Sequence, residues 1–376
     1  MARILINGLL LREQHSGVQY SIENLVQGLL QEDLRDYEIE ILVSHFYQSP
    51  FPESNHLKIR RLNSNFDSRF HRVFFEHFLL GTYLKKHKFD IYHSPGYILP
   101  YFLGAKKVVT IHDLIALDFP ELCQYETALY FRLTLPASIE RADKIITVSN
   151  TVKNDILNRF PKISEDKISV IYPGVHARFH TVHNPSAITN IREIYNLPDE
   201  YFLFVGNLEP KKNVESIIGA FKKLKSDKAL NHKLVIIGKL GWKYKSIMQS
   251  IENSRLKKEI MLLGYVNEVH LPTIYSLASM LVFPSLYEGF GIPVIEAMQC
   301  GCPVIVSDRG ALPEISGDVA KQVNPYDLND IAEAMYLIAN NDALKQNMIR
   351  AGVEWVQRFS WQKSARETLK VYSNLL

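Results

Sequence analysis

Two doubly wound α/β domains are the architecture this chain predicts, and three observations predict it. Short apolar runs alternate with segments of helical periodicity through most of the 376 residues. The alternation breaks once, over residues 176–197, and then restarts. Glycines and polar residues collect at the carboxyl ends of the runs in both halves. Alternation of this kind implies parallel sheets joined by crossover helices. The length suits two domains, and a hydrophobic fraction of 47% can fill two cores.

In the first half, Ile4 to Asn7 reads as a strand. A loop with Gly8 and Gly17 follows, then a helix with Ile22, Leu25, Val26, Leu29 and Leu30 on one face. Strands are expected at Ile39 to Val43, Asp90 to Ser94, Val108 to Ile111, Lys144 to Val148 and Ile168 to Ile171, and helices at Val73 to Lys86 and Thr151 to Phe160. Residues 176–197, with three histidines and Pro185, read as the linker. In the second half, strands are expected at Tyr201 to Val205, Lys233 to Ile237, Ile260 to Leu263, Met280 to Phe283 and Val304 to Ser307. Helical periodicity marks Val214 to Leu224, Ile331 to Ile338 and Trp361 to Leu376. The expected domains are 1–180 and 181–360. Ligands of such sheets bind beyond the carboxyl ends of the strands. Two facing carboxyl edges would make a cleft.

The most informative stretch runs from Met280 to Ser307: strand, glycine loop, helix, strand. Pro293 suits the first helical position, and Gly301 suits the position past the helix end. Amides at the helix start favour an anion, and Gly289 and Gly291 let a ligand approach the backbone. Glu288 and Glu296 are different: carboxylates accept hydrogen bonds from hydroxyls. Together these groups suit a ligand that is both phosphate and sugar. A second stretch, V-G-N-L-E-P-K-K-N, places Lys211 and Lys212 between a strand with Gly206 at its end and a helix. Paired cations there can neutralise a diphosphate, and a lysine aimed at a leaving phosphate counts most in the transition state. His112-Asp113 ends a strand of the first half, where histidine can bond a sugar hydroxyl or move a proton. Asp118 reads as a helix cap.

Other classes are disfavoured. The net charge of +3 gives no argument for nucleic acid. Three cysteines make no disulfide framework; Cys300 and Cys302 read as buried thiols. No metal set and no Asp-x-Asp is present, so metal and cofactor are expected to be absent. The glycines near Gly8 and Gly17 do not match a dinucleotide fingerprint. The chain opens directly into a strand with no signal peptide, and no apolar run is long enough to span a membrane, so a cytoplasmic protein is expected. Residues 57–107 carry ten Lys/Arg against three acids, interleaved with Phe66, Phe70, Phe74, Phe75 and Phe78. This segment reads either as a face on an anionic membrane, which would put the protein peripherally on its inner side, or as a solvated surface over a core-facing aromatic stripe.

These motifs, with T-I-H-D-L, I-T-V-S-N, G-Y-V and F-S-W, resemble those of the retaining GT-B glycosyltransferases of family 4, over nearly the whole chain. The resemblance implies two Rossmann-like domains: an N-terminal acceptor domain, onto which the helix 361–376 crosses back, and a C-terminal nucleotide-sugar domain. It implies that Glu288 contacts the donor sugar, Glu296 the ribose, and Lys212 the diphosphate. Amides of Phe290, Gly291 and Ile292 would meet the sugar or diphosphate, Tyr265 and Val266 the base, Gly17 the phosphates and His112 the sugar. Asn207 stands where many relatives carry arginine, so either Lys211 substitutes or the phosphate grip is weaker. The implied reaction is metal-independent transfer, with retention, from a GDP- or UDP-sugar to a glycan or lipid-linked acceptor. S-P-G-Y-I-L-P and H-D-L-I-A-L-D-F-P are similar to mannosyltransferases of bacterial polysaccharide or lipopolysaccharide synthesis. A non-catalytic sugar-nucleotide-binding subunit, a nucleotide-sugar epimerase and a phosphorylase are the alternatives.

Overall fold

The computed structural model describes every residue except 13–16, 49, 64–67, 102–103 and 229. The chain forms two compact units, one of Met1–Gly174 with Ser360–Leu376, the other Val175–Phe359. The first crossing thus falls a few residues before position 180.

The first unit holds a parallel sheet of seven strands: β1 (Ala2–Asn7), β2 (Tyr37–Ser44), β3 (Leu57–Leu62), β4 (Ile91–Ser94), β5 (Lys106–Ile111), β6 (Lys144–Thr147) and β7 (Ile168–Val170), in the order β3-β2-β1-β4-β5-β6-β7. Ile4 of β1 lies between Ile39 and Ile91 of its neighbours, and all three are fully buried. Strands covered on both faces need such continuous apolar runs. The helix Trp361–Ser373 packs on the helix Gly17–Leu29, with Trp361 edge-on to Tyr20. Ser360 caps it by accepting the Lys363 N–H. His93 of β4 anchors its far end: Nδ1 lies 2.7 Å from the Tyr372 hydroxyl and Nε2 2.8 Å from Thr110 Oγ1.

The second unit holds a parallel sheet of six strands: β8 (Tyr201–Val205), β9 (Lys233–Ile237), β10 (Ile260–Gly264), β11 (Met280–Phe283), β12 (Val304–Ser307) and β13 (Lys321–Val323), in the order β10-β9-β8-β11-β12-β13. Each sheet sets its first strand beside its fourth. The order therefore reverses between β1 and β4 and between β8 and β11, and ligands of such sheets bind beyond that reversal.

Several expectations need correction. The stretch 176–197 is not wholly irregular: Pro185–Tyr195 is a helix, with Pro185 in its first turn and Asn184 accepting the Ser186 and Ala187 amides. Asp118 does not cap a helix start; it ends the short helix Ile115–Asp118 and pairs with Arg159 at 2.7 Å. The helix expected at Val73 to Lys86 is three abutting segments, Arg69–Phe74, a π turn Phe75–Leu79 and Leu80–His87. Phe74 and Phe78 are not core. They are 49% and 65% exposed and lie against each other, 5.2 Å between ring centres. Phe66 lies outside the described residues, as does the side chain of Phe70. Among the described residues no helix is long and apolar enough to cross a membrane.

Candidate active site

The loops after β8 and β11 leave the two strands at which the second sheet reverses, so they emerge side by side. After β8, Gly206 and Asn207 lead to a single turn, Pro210–Lys212. After β11, Pro284 to Gly291 leads into the helix Ile292–Gln299. The Leu286 N–H donates to the Lys211 carbonyl at 2.8 Å, which ties the loops together. This brings the two principal candidates into contact: Lys212 Nζ lies 2.5 Å from Glu288 Oε1 and 5.0 Å from the centre of the Phe283 ring.

The two acids differ in charge. Burial pushes the Glu288 carboxyl up, but Lys212 and Lys211 outweigh it and hold the group below its ordinary range. Glu288 is therefore ionised at neutral pH. Burial pushes Glu296 up to about 8, and nearby Glu268 adds to this, while the Tyr275 hydroxyl and Arg178 oppose it. Tyr275 donates to Glu296 Oε2 at 3.1 Å. Glu296 is thus a neutral acid at pH 7, poised to lose its proton to a favourable partner.

The remaining candidates of this unit follow neighbouring strands. Tyr265, just past β10, is 55% exposed, with Lys239 Nζ 4.9 Å from its ring centre; Val266 beside it is buried. Gly289, Phe290 and Gly291 are buried, and Phe290 packs edge-on to Phe359. Gly291 has φ +105° and opens the helix Ile292–Gln299. A Cβ there would lie 2.7 Å from a Leu312 methyl, which would have to shift, and the left-handed conformation itself favours glycine.

His112 and Gly17 belong to the first unit. His112 follows β5, and its Nε2 lies 2.8 Å from the Pro95 carbonyl. A carbonyl only accepts, so Nε2 carries the proton and Nδ1 the lone pair. Burial pushes its pKa down, opposed by the Pro95 carbonyl and by Asp113. His112 lines a small cavity of about 40 Å³ with Ser21, Thr110, Tyr172 and Trp361. Gly17 opens the helix Gly17–Leu29, and the Ser21 hydroxyl donates to its carbonyl at 3.0 Å.

Sequence reasoning missed three supports. Tyr275 holds Glu296 from 21 residues away. Asn213, with φ +57°, sends Nδ2 to the carbonyls of Pro284 (3.1 Å) and Pro325 (2.7 Å) and so joins three loops. Ala311 donates its N–H to the Glu288 carbonyl at 2.9 Å. An asparagine just after the paired lysines and just before a helix was the one visible signal.

Two parallel-sheet α/β units make up the fold, and a lysine–carboxylate pair sits at the reversal of the second sheet. Solved structures agree on the fold. Sucrose-phosphate synthase from Thermosynechococcus elongatus aligns over 100% of this chain and 99% of its own, with TM-score 0.79 and 22% identity. Anabaena Alr3699/HepE in complex with UDP-glucose aligns over 100% of both, with TM-score 0.76 and 16% identity. Residues 15–179 match the family described as Glycosyltransferase Family 4, and residues 188–355 match Glycosyl transferases group 1. The O-antigen chain mannosyltransferase B of Escherichia coli is 30% identical over 78% of this chain and 76% of its own length. The chain belongs to glycosyltransferase family 4.

Proposed function

We propose that the protein transfers a sugar, with retention of anomeric configuration, from a nucleotide sugar to a glycan or lipid-linked acceptor in surface polysaccharide or lipopolysaccharide synthesis. The observation that carries this reading is the contact of Lys212 with buried Glu288 between the loops of β8 and β11. A diphosphate would take Lys212, with Lys211 beside it, and sugar hydroxyls would take Glu288. The ribose would meet Glu296, the base would lie by Tyr265 and Val266, and amides from Phe290 to Ile292 would face the anion. In this reading residues 175–359 hold the donor, and the first unit, with His112 and Gly17, serves the acceptor and the transferred sugar. A relative named as a mannosyltransferase supports mannose as the transferred sugar, and GDP-mannose is the donor proposed.

The acceptor hydroxyl oxygen attacks the anomeric carbon from the face the diphosphate leaves. The bond from that carbon to the phosphate oxygen breaks, and the departing phosphate takes the hydroxyl proton. Lys212 and the helix amides stabilise the charge that gathers on the phosphate. No protein carboxylate is asked to act as nucleophile, which suits a Glu288 committed to hydrogen bonding.

The reading also places the enzyme peripherally on an anionic membrane through residues 57–107. Exposed Phe74, Phe78 and Leu79, followed in the sequence by exposed Lys85, Lys86 and Lys88, support this contact. A thermal-shift panel of GDP, UDP, ADP and TDP sugars tests the donor, because a ligand that binds the folded state raises its apparent stability. Transfer activity with the stabilising donor, giving a product of unchanged anomeric configuration, is the expected result. An enzyme that no nucleotide sugar stabilises would refute the reading.

A further inference from the structure

The loop after β12 meets the donor loop at its back, and the contact is backbone on backbone. Gly310 has φ +60°. A Cβ built there would lie 2.8 Å from the Glu288 carbonyl oxygen and 3.0 Å from the Glu288 amide nitrogen. Neither atom belongs to a flexible side chain, so neither can swing away. The next residue, Ala311, donates its N–H to that same Glu288 carbonyl at 2.9 Å. Leu312 then sets a methyl against Gly291. Three consecutive residues thus press on both ends of the segment that carries Glu288.

That loop is itself fixed to the sheet. The Arg309 N–H is accepted by buried Ser307 Oγ at 3.0 Å, and the Asp308 N–H donates to Val323 of β13 at 2.9 Å. The Glu288 backbone therefore takes its position from β12 and β13 as well as from its own strand. Its side chain is held by the ion pair with Lys212.

We infer that Gly310 is a positioning residue for Glu288: the missing side chain lets the β12 loop seat the Glu288 backbone at the depth where its carboxylate reaches the donor sugar. The inference rests on the role proposed for Glu288 in donor binding. A residue with a Cβ at position 310 must push the Glu288 peptide outward, and the carboxylate moves with it. Lys212 and Tyr265 stand on other segments, and Glu296 lies one turn into the following helix, held by Tyr275. The loss should therefore fall on the sugar and on turnover, and spare the nucleoside diphosphate.

The test compares Gly310→Asn, Gly310→Ala and Glu288→Gln with the parent enzyme. Asparagine tolerates a left-handed backbone, so Gly310→Asn isolates the added Cβ from conformational strain. Calorimetry measures GDP against GDP-mannose, and UDP against UDP-glucose. The readout is the affinity for nucleotide sugar relative to that for the diphosphate alone. In Gly310→Asn this ratio should shift as it does in Glu288→Gln, while the diphosphate affinity holds and turnover falls on the order of a hundredfold. Retained diphosphate binding shows that the unit is folded. A parent-like ratio and turnover in Gly310→Asn, beside a changed ratio in Glu288→Gln, would overturn the role of Gly310 alone. A ratio that Glu288→Gln leaves untouched would overturn the donor role of Glu288 and this inference with it.

Discussion

Replacing Lys212 with alanine should cost stability as well as activity, because the lysine has two tasks. In the donor-free enzyme its ammonium neutralises Glu288, which is buried. Removing one partner of a buried pair leaves an uncompensated charge, at a cost of about 3–5 kcal/mol. The side chains keep 14% and 10% of their exposure, so some water reaches them and the lower figure applies. For a unit the size of Val175–Phe359, about 3 kcal/mol corresponds to a fall in Tm of roughly 6–12 °C. Lys212→Ala/Glu288→Gln removes both charges and should recover most of that loss, a coupling that a double-mutant cycle in thermal or urea denaturation reads directly. Transfer should remain depressed by about 10²–10³-fold in both variants, since the phosphate has lost its cation. The pH dependence fixes the sign. In the parent, the depressed Glu288 pKa gives stability that is present above the unfolded value of 4.5 and lost as pH falls. In Lys212→Ala burial is opposed chiefly by Lys211 alone and Glu288 protonates more readily, so the gap between the two proteins should narrow in acid. A Lys212→Ala enzyme with parental Tm and parental turnover would refute the reasoning on both counts.

Further consequences concern groups elsewhere in the two units. Glu296 titrates near 8 in the fold against 4.5 for an ordinary carboxyl, so its contribution to stability is whole below 4.5 and is lost as pH rises toward 8. Glu296→Gln should therefore gain on the parent at about pH 9 and not at about pH 5, while donor affinity falls; parallel stability curves would contradict this. Burial pushes the pKa of His93 down to about 3 from 6.5, so its contribution is whole above 6.5 and fades as pH falls toward 3. Tyr372→Phe strips a hydrogen bond from that buried ring, should cost about 1–3 kcal/mol, and should speed amide exchange in the helix Trp361–Ser373. Phe74→Ser/Phe78→Ser should reduce co-flotation with anionic vesicles and leave Tm unchanged, since both rings are largely exposed.

What could be read from the residues alone follows from how local each signal is. β8 and β11 are apolar runs that stop at glycine or proline, and such buried strands announce themselves. β3 escaped notice because L-K-I-R-R-L reads as a solvated segment; it is an edge strand with its arginines and lysine turned outward. β13 is too short, at three residues, to show a period. The helix Pro185–Tyr195 was hidden by its own proline, which breaks a helix interior but suits a first turn. The phenylalanines of 69–87 do sit at helical spacing. The π turn Phe75–Leu79 inserts a residue and rotates the face they present, which spacing cannot reveal. At the site, the Glu288–Glu296 stretch and the paired lysines were visible as separate motifs. That Lys212 and Glu288 touch across 76 residues, that Tyr275 reaches Glu296 and that Gly310 backs Glu288 are consequences of strand order.

Donor binding requires one exchange of partners, and a crystal structure with a nucleotide sugar bound would observe it. Lys212 Nζ should have left Glu288 Oε1 for the diphosphate, with Glu288 accepting from sugar hydroxyls and Glu296 from the ribose. A nucleotide sugar bound away from the loops of β8 and β11, with the Lys212–Glu288 pair still closed, would contradict it.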